Sequence, residues 1–298
     1  MNVINAALLS ALFRGYRVLF QNAFAGAPSF WEKVAMLVPS TTSEEHYPWL
    51  GDLADLREWI GDRVVKELSL HDYAIRNRKF EQTIGVSRDS IEDDTYGIFG
   101  PRFTMLGDNA KRHPDKLVFG LLKAGFSTVC YDGQYFFDTD HPIVGSNGST
   151  TSVSNFGGGT GPAWYLMDTS RPVKPLIFQK RRDYTLVNLD RDTDQNVFMR
   201  DQYLYGVDAR VNVGFAFWQL AYGSKQELNA DNYAAARTAM QSLTNEAGSP
   251  LGIMPNLLVV PPSLEGAGRK LLKNEFNAAG ATNEWFGTAD LLSVPYLA

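Results

Sequence analysis

Over "YGVDARVNVGFAFWQ" the apolar residues Val207, Ala209, Val211, Val213, Phe215 and Phe217 alternate with Asp208, Arg210, Asn212 and Gly214. Apolar positions at a period of two put one face of a strand into a core. The other face begins wet, which favours an antiparallel sheet covered on one side. "KPLIFQKRRDYTLVNL" reads as a second strand of the same kind. A sheet of this sort needs a cover. With 298 residues, 44% of them apolar and 20% charged, the chain has material for about two domains or one large elaborated one.

The candidate cover is helical. In "DDTYGIFGPRFTMLGDNAKRHPDKLVFGLLKAG", Phe103, Leu106 and Ala110, then Leu117 and Leu121, predict helix on either side of Pro114. Proline removes a backbone donor and crowds the preceding turn, so a kink or break is expected there. Gly107 is a second weak point, because glycine is costly inside a helix. Gly125 is placed to stop the second half. At the N-terminus Ile4, Leu8, Ala11 and Leu12 share a helical face, as in an amphipathic arm that docks on another surface.

Between these helical segments, residues 31–94 are dense in charge and poor in helical period. They read as a long extended two-stranded arm. A projecting hairpin cannot bury its own faces and is marginal alone in water, so such an arm needs a partner surface of complementary charge. "GSNGSTTSVSNFGGGTGP" at 145–162 reads as a flexible loop by composition. At the C-terminal end the texture becomes α/β. Tyr233, Ala236, Met240 and Leu243 mark one helix face, and "NLLVVPPSLEGAGRKLLKNEF" reads as a buried strand followed by a helix capped by Ser263. The fold class is α+β.

Composition excludes several functions. The net charge of −5 gives no global attraction to phosphate backbones. The basic runs at 76–79 and 180–182 sit beside acids, as solvated faces do. One cysteine, Cys130, cannot form an internal disulfide. No apolar run approaches the roughly 18 residues that span a bilayer. The glycines of 145–162 lack the Gly-Lys-Ser/Thr of a phosphate loop. None of the four histidines, His46, His71, His113 and His141, is paired at a metal-ligand spacing. No cofactor is expected.

One stretch looks chemical. "YDGQYFFDTDHP", 131–142, packs Asp132, Asp138, Asp140 and His141 around aromatics, just after Cys130. A metal-dependent enzyme using Asp138, Asp140 and His141 is the functional reading. The structural reading is simpler: Asp132-Gly133 is a turn signal, Asp138 and Asp140 turn by side-chain to backbone bonds, and Pro142 keeps His141 extended.

Long idiosyncratic segments carry a family resemblance. "VPSTTSEEHYPWLGDLADLREWIGDRVV", "KFEQTIGVSRDSIEDD", "YDGQYFFDTDHP", "LYGVDARVNVGFAFWQLAYGSK" and "GATNEWFGTADLLSVPYLA" resemble, in the same order, the major head subunit of Mu-like tailed phages. The resemblance implies the capsid fold first described for the Hong Kong 97 phage. Its parts would be an N-terminal arm at 1–44, an extended loop at 45–82, a peripheral domain at 83–225 with a spine helix at about 97–124, and an axial domain at 226–298. It implies a shell of hexamers and pentamers enclosing double-stranded DNA without sequence-specific binding. Scaffold, portal and decoration proteins would be partners, and assembly would take place in the bacterial cytoplasm. Within the extended loop, Arg57, Glu58, Asp62, Arg63, Lys66 and Glu67 are the expected subunit contacts. Gly107 and Pro114 are the expected bend of the spine.

Overall fold

The computed structural model describes residues 4–50, 73–93, 96–144, 149–191, 193–245, 248–276 and 280–298. Helix α1 (Ala6–Gly26) is followed by strand β1 (Ala35–Pro39) and a short pair, β2 (Glu44–His46) and β3 (Ala74–Arg76). Next come β4 (Arg78–Ser87), a short helix α2 (Arg88–Glu92) and the long helix α3 (Gly100–Lys123). Four short strands follow, β5 (His141–Val144), β6 (Thr150–Val153), β7 (Phe156–Gly159) and β8 (Trp164–Met167). The long strand β9 (Leu176–Leu189) is joined through helix α4 (Gln195–Arg200) to β10 (Gln202–Phe215). The chain closes with β11 (Ala221–Lys225), α5 (Ala230–Gln241), β12 (Leu257–Val260), α6 (Glu265–Leu272) and β13 (Asp290–Ser293).

The main sheet has the order β1-β9-β10-β4. Its centre is the alternating strand: Val207, Ala209 and Val211 are buried while Asp208, Arg210 and Asn212 stay half-buried. β10 is antiparallel to both β9 and β4, as the alternation predicts. The edge strand β1 instead runs parallel to β9, with Ala35 opposite Leu176, so the sheet is mixed. Single-strand periodicity reports which face is buried and carries no information on the direction of a neighbour 140 residues away.

A second sheet, β13-β12-β8-β11-β7, joins strands of 156–225 to strands of 257–293, so pairing crosses residue 226. Here the glycine-rich segment is structured. Among its described residues, β6 pairs with β5 in a separate two-stranded sheet, and β7 forms because its glycines let backbones approach: at Gly159, with φ +91°, a Cβ would run into the Lys225 backbone. Composition had pointed to a loop.

Helix α1 begins at Asn5, whose side chain accepts the Leu8 N–H at 2.9 Å, and ends before Pro28. It lies along α3. α3 runs unbroken through Pro114, buried on Phe103, Leu106 and Ala110 in its first half and on Val118, Phe119 and Leu122 in its second. The expected interruption at Pro114 is absent. A proline leaves only the carbonyl one turn earlier without its donor, and burial on both sides of the step holds the helix together. Gly125 falls in a short 3-10 turn after the helix, under Phe137, where a side chain would collide with the ring.

Other expectations change. Among the described residues, the segment 31–94 contributes β1 and β4 to the main sheet and the short pair β2–β3, with Glu44 opposite Arg76 and His46 opposite Ala74; residues 51–72 lie outside them. Ser263 caps no helix. It lies in the 3-10 turn Pro262–Leu264, and α6 starts at Glu265 without a side-chain cap.

Two apolar cores result. The arm-side core gathers Leu9, Tyr16 and Phe20 of α1, Phe103 to Ala110 of α3, and Tyr203, Tyr205 and Val207 of β10. The body core begins at Trp31 and takes Val118 to Leu122 of α3, Ala209 to Phe215 of β10 and the whole second sheet.

Candidate functional site

The acidic turn folds through its own carboxylates. Gly133 supplies a positive φ of 87° at the tip. Asp132 Oδ1 accepts from the Gln134 N–H at 3.1 Å and from the Cys130 thiol at 3.0 Å. Asp138 accepts the N–H of Tyr135 at 3.1 Å and that of Thr139 at 2.8 Å. Asp140 is exposed. His141 therefore does not converge with Asp138 and Asp140 as the enzyme reading required.

Its partners are others. His141 is fully buried, with Nδ1 2.7 Å from Asp132 Oδ2 and Nε2 3.1 Å from Asn155 Oδ1. The orientation of Asn155 is fixed, because Nδ2 donates to the carbonyl of Phe136 at 2.8 Å while Oδ1 accepts the Asp138 N–H at 2.9 Å. Both ring nitrogens thus face an oxygen and neither is left free. The ring also stacks on Trp218, centroids 4.0 Å apart and planes 10° apart. Burial alone would raise Asp132, but the bonds from His141 and Cys130 outweigh it and hold its carboxyl below the usual range.

Cys130, Asp132 and His141 place one potential ligand atom each within 4.8 Å of one another. A metal needs a thiolate and a free imidazole lone pair, whereas burial and the Asp132 charge push the Cys130 thiol well up and both ring nitrogens are engaged. The cluster is a buried, self-satisfied clasp that ties residues 130–141 to β7 and to the Trp218 turn. Asn155 and Trp218 carry no local signal of this role, since the contacts span 14 and more residues.

The spine residues sit elsewhere. Gly107 faces α1, where any Cβ would run into the Phe20 carbonyl, so its absent side chain sets the closest approach of the two helices. Pro114 is buried, and the next residue, Asp115, is an anchor with no local signal in the residues around it. Asp115 Oδ1 accepts the N–H groups of Trp31 at 2.7 Å and Phe30 at 2.9 Å and the Ser29 hydroxyl at 3.0 Å. The six extended-loop residues Arg57, Glu58, Asp62, Arg63, Lys66 and Glu67 lie outside the described residues. At the outer end of the main sheet, Phe198 and Met199 on α4 are 84% and 67% exposed, apolar surface left open on a single chain. Among the described residues no helix is long and apolar enough to cross a membrane.

A fold of arm, long helix and two sheets, with a clasp in place of a catalytic centre, agrees with what the chain is similar to. The profile of the Mu-like prophage major head subunit gpT family matches residues 9–297. The chain belongs to the Mu-like major head subunit family. It is 45% identical to the Mu-like prophage FluMu major head subunit of Haemophilus influenzae over 91% of this chain and 90% of that protein. It is 41% identical to the major capsid protein of Escherichia phage Mu over 99% and 100%. Among solved structures, the procapsid of bacteriophage JBD30 superposes with a TM-score of 0.88 at 46% identity, covering 98% of this chain and all of that one. The JBD30 capsid superposes at 0.78 with 34% identity, and both chains are covered in full. As a member of this family the chain is a major capsid protein with the Hong Kong 97-type α+β fold. It builds the virion shell and is a structural protein, not an enzyme. The comparisons give the metal-enzyme reading no support.

Proposed function

We propose that copies of this chain assemble as hexamers and pentamers into an icosahedral head that encloses double-stranded DNA. The likeness to the JBD30 procapsid over 98% of the chain carries this reading. The mild acidity fits a wall that DNA must enter and leave without being gripped. Residues 1–44 serve as the arm, 45–82 as the extended loop, 83–225 as the peripheral domain and 226–298 as the axial domain. Portal and scaffold proteins join the assembly in the host cytoplasm, and decoration proteins bind the finished shell. The last is supported by the JBD30 capsid decorated with minor capsid protein trimers, similar to this chain at a TM-score of 0.77.

Within the shell, charge on the extended loop holds neighbours together through Arg57, Glu58, Asp62, Arg63, Lys66 and Glu67. The described residues on either side of that segment pair as β2–β3. An exposed ion pair is worth under about 1 kcal/mol, but repetition around a closed shell multiplies small terms. The spine α3 bends at Pro114, so that one chain fits more than one curvature. The closer likeness to the JBD30 procapsid than to its capsid supports reading the present shape as the compact one.

Size-exclusion chromatography and negative-stain microscopy of the purified protein test the reading. Capsomers, tubes or shells are expected, and a stable monomer at every concentration contradicts it. Arg63→Glu is expected to give soluble, folded protein that assembles poorly. Normal shells at physiological salt would remove Arg63 from the contact.

A further inference from the structure

The two apolar cores divide at one level through the molecule. On α3 the division falls between Ala110 and Val118, with Pro114 midway; on β10 it falls between Val207 and Ala209. At the same level the β9–β10 pairing slips, with register shifts on either side of Arg210. Such bulges bend a strand pair locally. Among the described residues, Tyr184 alone packs against both cores there. A cleft of about 310 Å³ opens at the junction, lined by Ala110 and Val207 from one core, Ala209 from the other, and Phe80, His113 and Tyr184 between them. Packed cores resist continuous deformation, so relative movement of two bodies concentrates where packing is incomplete.

The N-terminal segment crosses this level as well. Up to Phe24, α1 is fastened to the first half of α3. Tyr16 stacks on Phe103 at 4.0 Å, Gly107 meets the Phe20 carbonyl, and Lys111 lies over the Phe24 ring at 5.7 Å. From Ser29 onward the chain is fastened to the second half of α3, through the three bonds to Asp115. Only residues 25–28 pass from the contact at Lys111 to the contact at Asp115. They are extended at Ala27 and include Pro28. His113 completes the layout, held from the sheet by Tyr184 OH at 2.6 Å and by the Phe80 ring at 4.4 Å.

We infer that α1, the first half of α3 and the outer ends of β9 and β10 that share their core move as one body against the rest of the chain, about a hinge plane through Pro114, the 25–28 connection and the β9–β10 bulge, with Asp115 as the fixed pivot of the arm. The inference rests on the proposed bend at Pro114 and adds a specific partner to it. The arm is not a free strap but a lever strapped across the bend, so spine angle and arm position change together. The cleft is the room into which the arm-side body closes.

A cryo-electron microscopy reconstruction of shells of the full chain, with every independent subunit built, tests this without a variant. The expected result is that α1 superposes with residues 100–111 in every subunit, while the angle from that body to residues 115–123 differs between subunits. If the angle differs but α1 stays with residues 115–123 or moves independently, the coupling is wrong and the bend stands. If the angle is the same everywhere, the bend falls and the coupling with it. A second readout is hydrogen exchange on assembled Asp115→Ala shells. Exchange at the Phe30 and Trp31 amides is expected to quicken about tenfold, ~1.4 kcal/mol, with amides 103–111 unchanged. Equal quickening at both places would make Asp115 a general support of the fold and overturn its role as pivot.

Discussion

The arm-side core and the body core hold together by different means. The body core is tied by directional bonds between buried polar groups. His141, Asp132 and Asn155 form one closed set. Gln179 forms another, accepting from Tyr47 OH at 2.6 Å and donating to the Ile75 carbonyl at 3.0 Å and to Asn77 at 2.9 Å. Asp168 accepts from Ser170 and from the Met254 N–H. The arm-side core is an aromatic stack, with Tyr16 against Phe103 at 4.0 Å and edge-on to Tyr205 at 5.3 Å, and Phe13 on Tyr205 at 6.2 Å. Buried atoms without partners occur on both sides, the Tyr205 hydroxyl and Asp190 Oδ2 at its outer end, and Arg210 Nε and Trp285 Nε1 on the body side. Satisfied polar networks specify one arrangement, whereas ring stacking is worth about 0.5–1.5 kcal/mol per pair beyond area and tolerates sliding. On the hinge proposed above, one half of a shell subunit would keep its shape and the other would be repositioned.

The largest expected effect lies in the rigid half. His141→Ala leaves Asp132 Oδ2 and Asn155 Oδ1 buried without their donor and empties the space against Trp218, while Asp132 Oδ1 keeps the Gln134 N–H and the Cys130 thiol; a lost buried donor and an emptied ring site together cost about 3–5 kcal/mol. Urea unfolding of the soluble protein should show that loss, together with poor recovery of folded chain. A change below about 1 kcal/mol would mean that the clasp is no tighter than a surface pair, and the contrast between the cores would lose its basis.

Gly107→Ala probes the other half. The new methyl meets the Phe20 carbonyl, and overpacking of this kind costs about 1–3 kcal/mol. The cost should appear as α1 displaced from α3, with faster exchange across residues 6–26 and unchanged protection in β8 and β12. Loss of protection in both halves would join the two cores into one.

A smaller effect is expected at the base of the extended loop. N–H groups of Thr42 and Thr41, with the Ser40 and Thr42 hydroxyls, hold the Glu45 carboxyl at about 2 against its ordinary 4.5. A depressed folded value means the stabilisation is fully present above about 4.5 and is lost as pH falls toward 2. Exchange at the Thr41 and Thr42 amides should therefore quicken across that window. A titration midpoint near 4.5 for Glu45 would show that these bonds do not persist in solution.

How much of this was legible in the residues follows from range. Val207 to Phe215 announced their strand because alternation is local, and the helix faces at Phe103 to Ala110 and Tyr233 to Met240 were legible for the same reason. Asp132-Gly133 declared its turn, and Pro142 kept His141 extended as expected. What stayed hidden depends on partners far along the chain. Asp115 grips residues 84 to 86 positions away, β1 pairs with a strand some 140 residues later, and Gly157 and Gly159 serve β11 rather than a loop. Gly107 was read as a weak point of one helix, and the structure adds a role between two helices that no single-helix pattern can contain.

Hydrogen exchange of the unassembled protein, resolved by peptide, tests the division most directly. Residues 6–26 and 100–111 are expected to open together as one cooperative unit, at lower free energy than residues 164–167, 176–179 and 257–260. Uniform protection across all of these segments, lost in a single step, would contradict a subunit made of two bodies joined at Pro114.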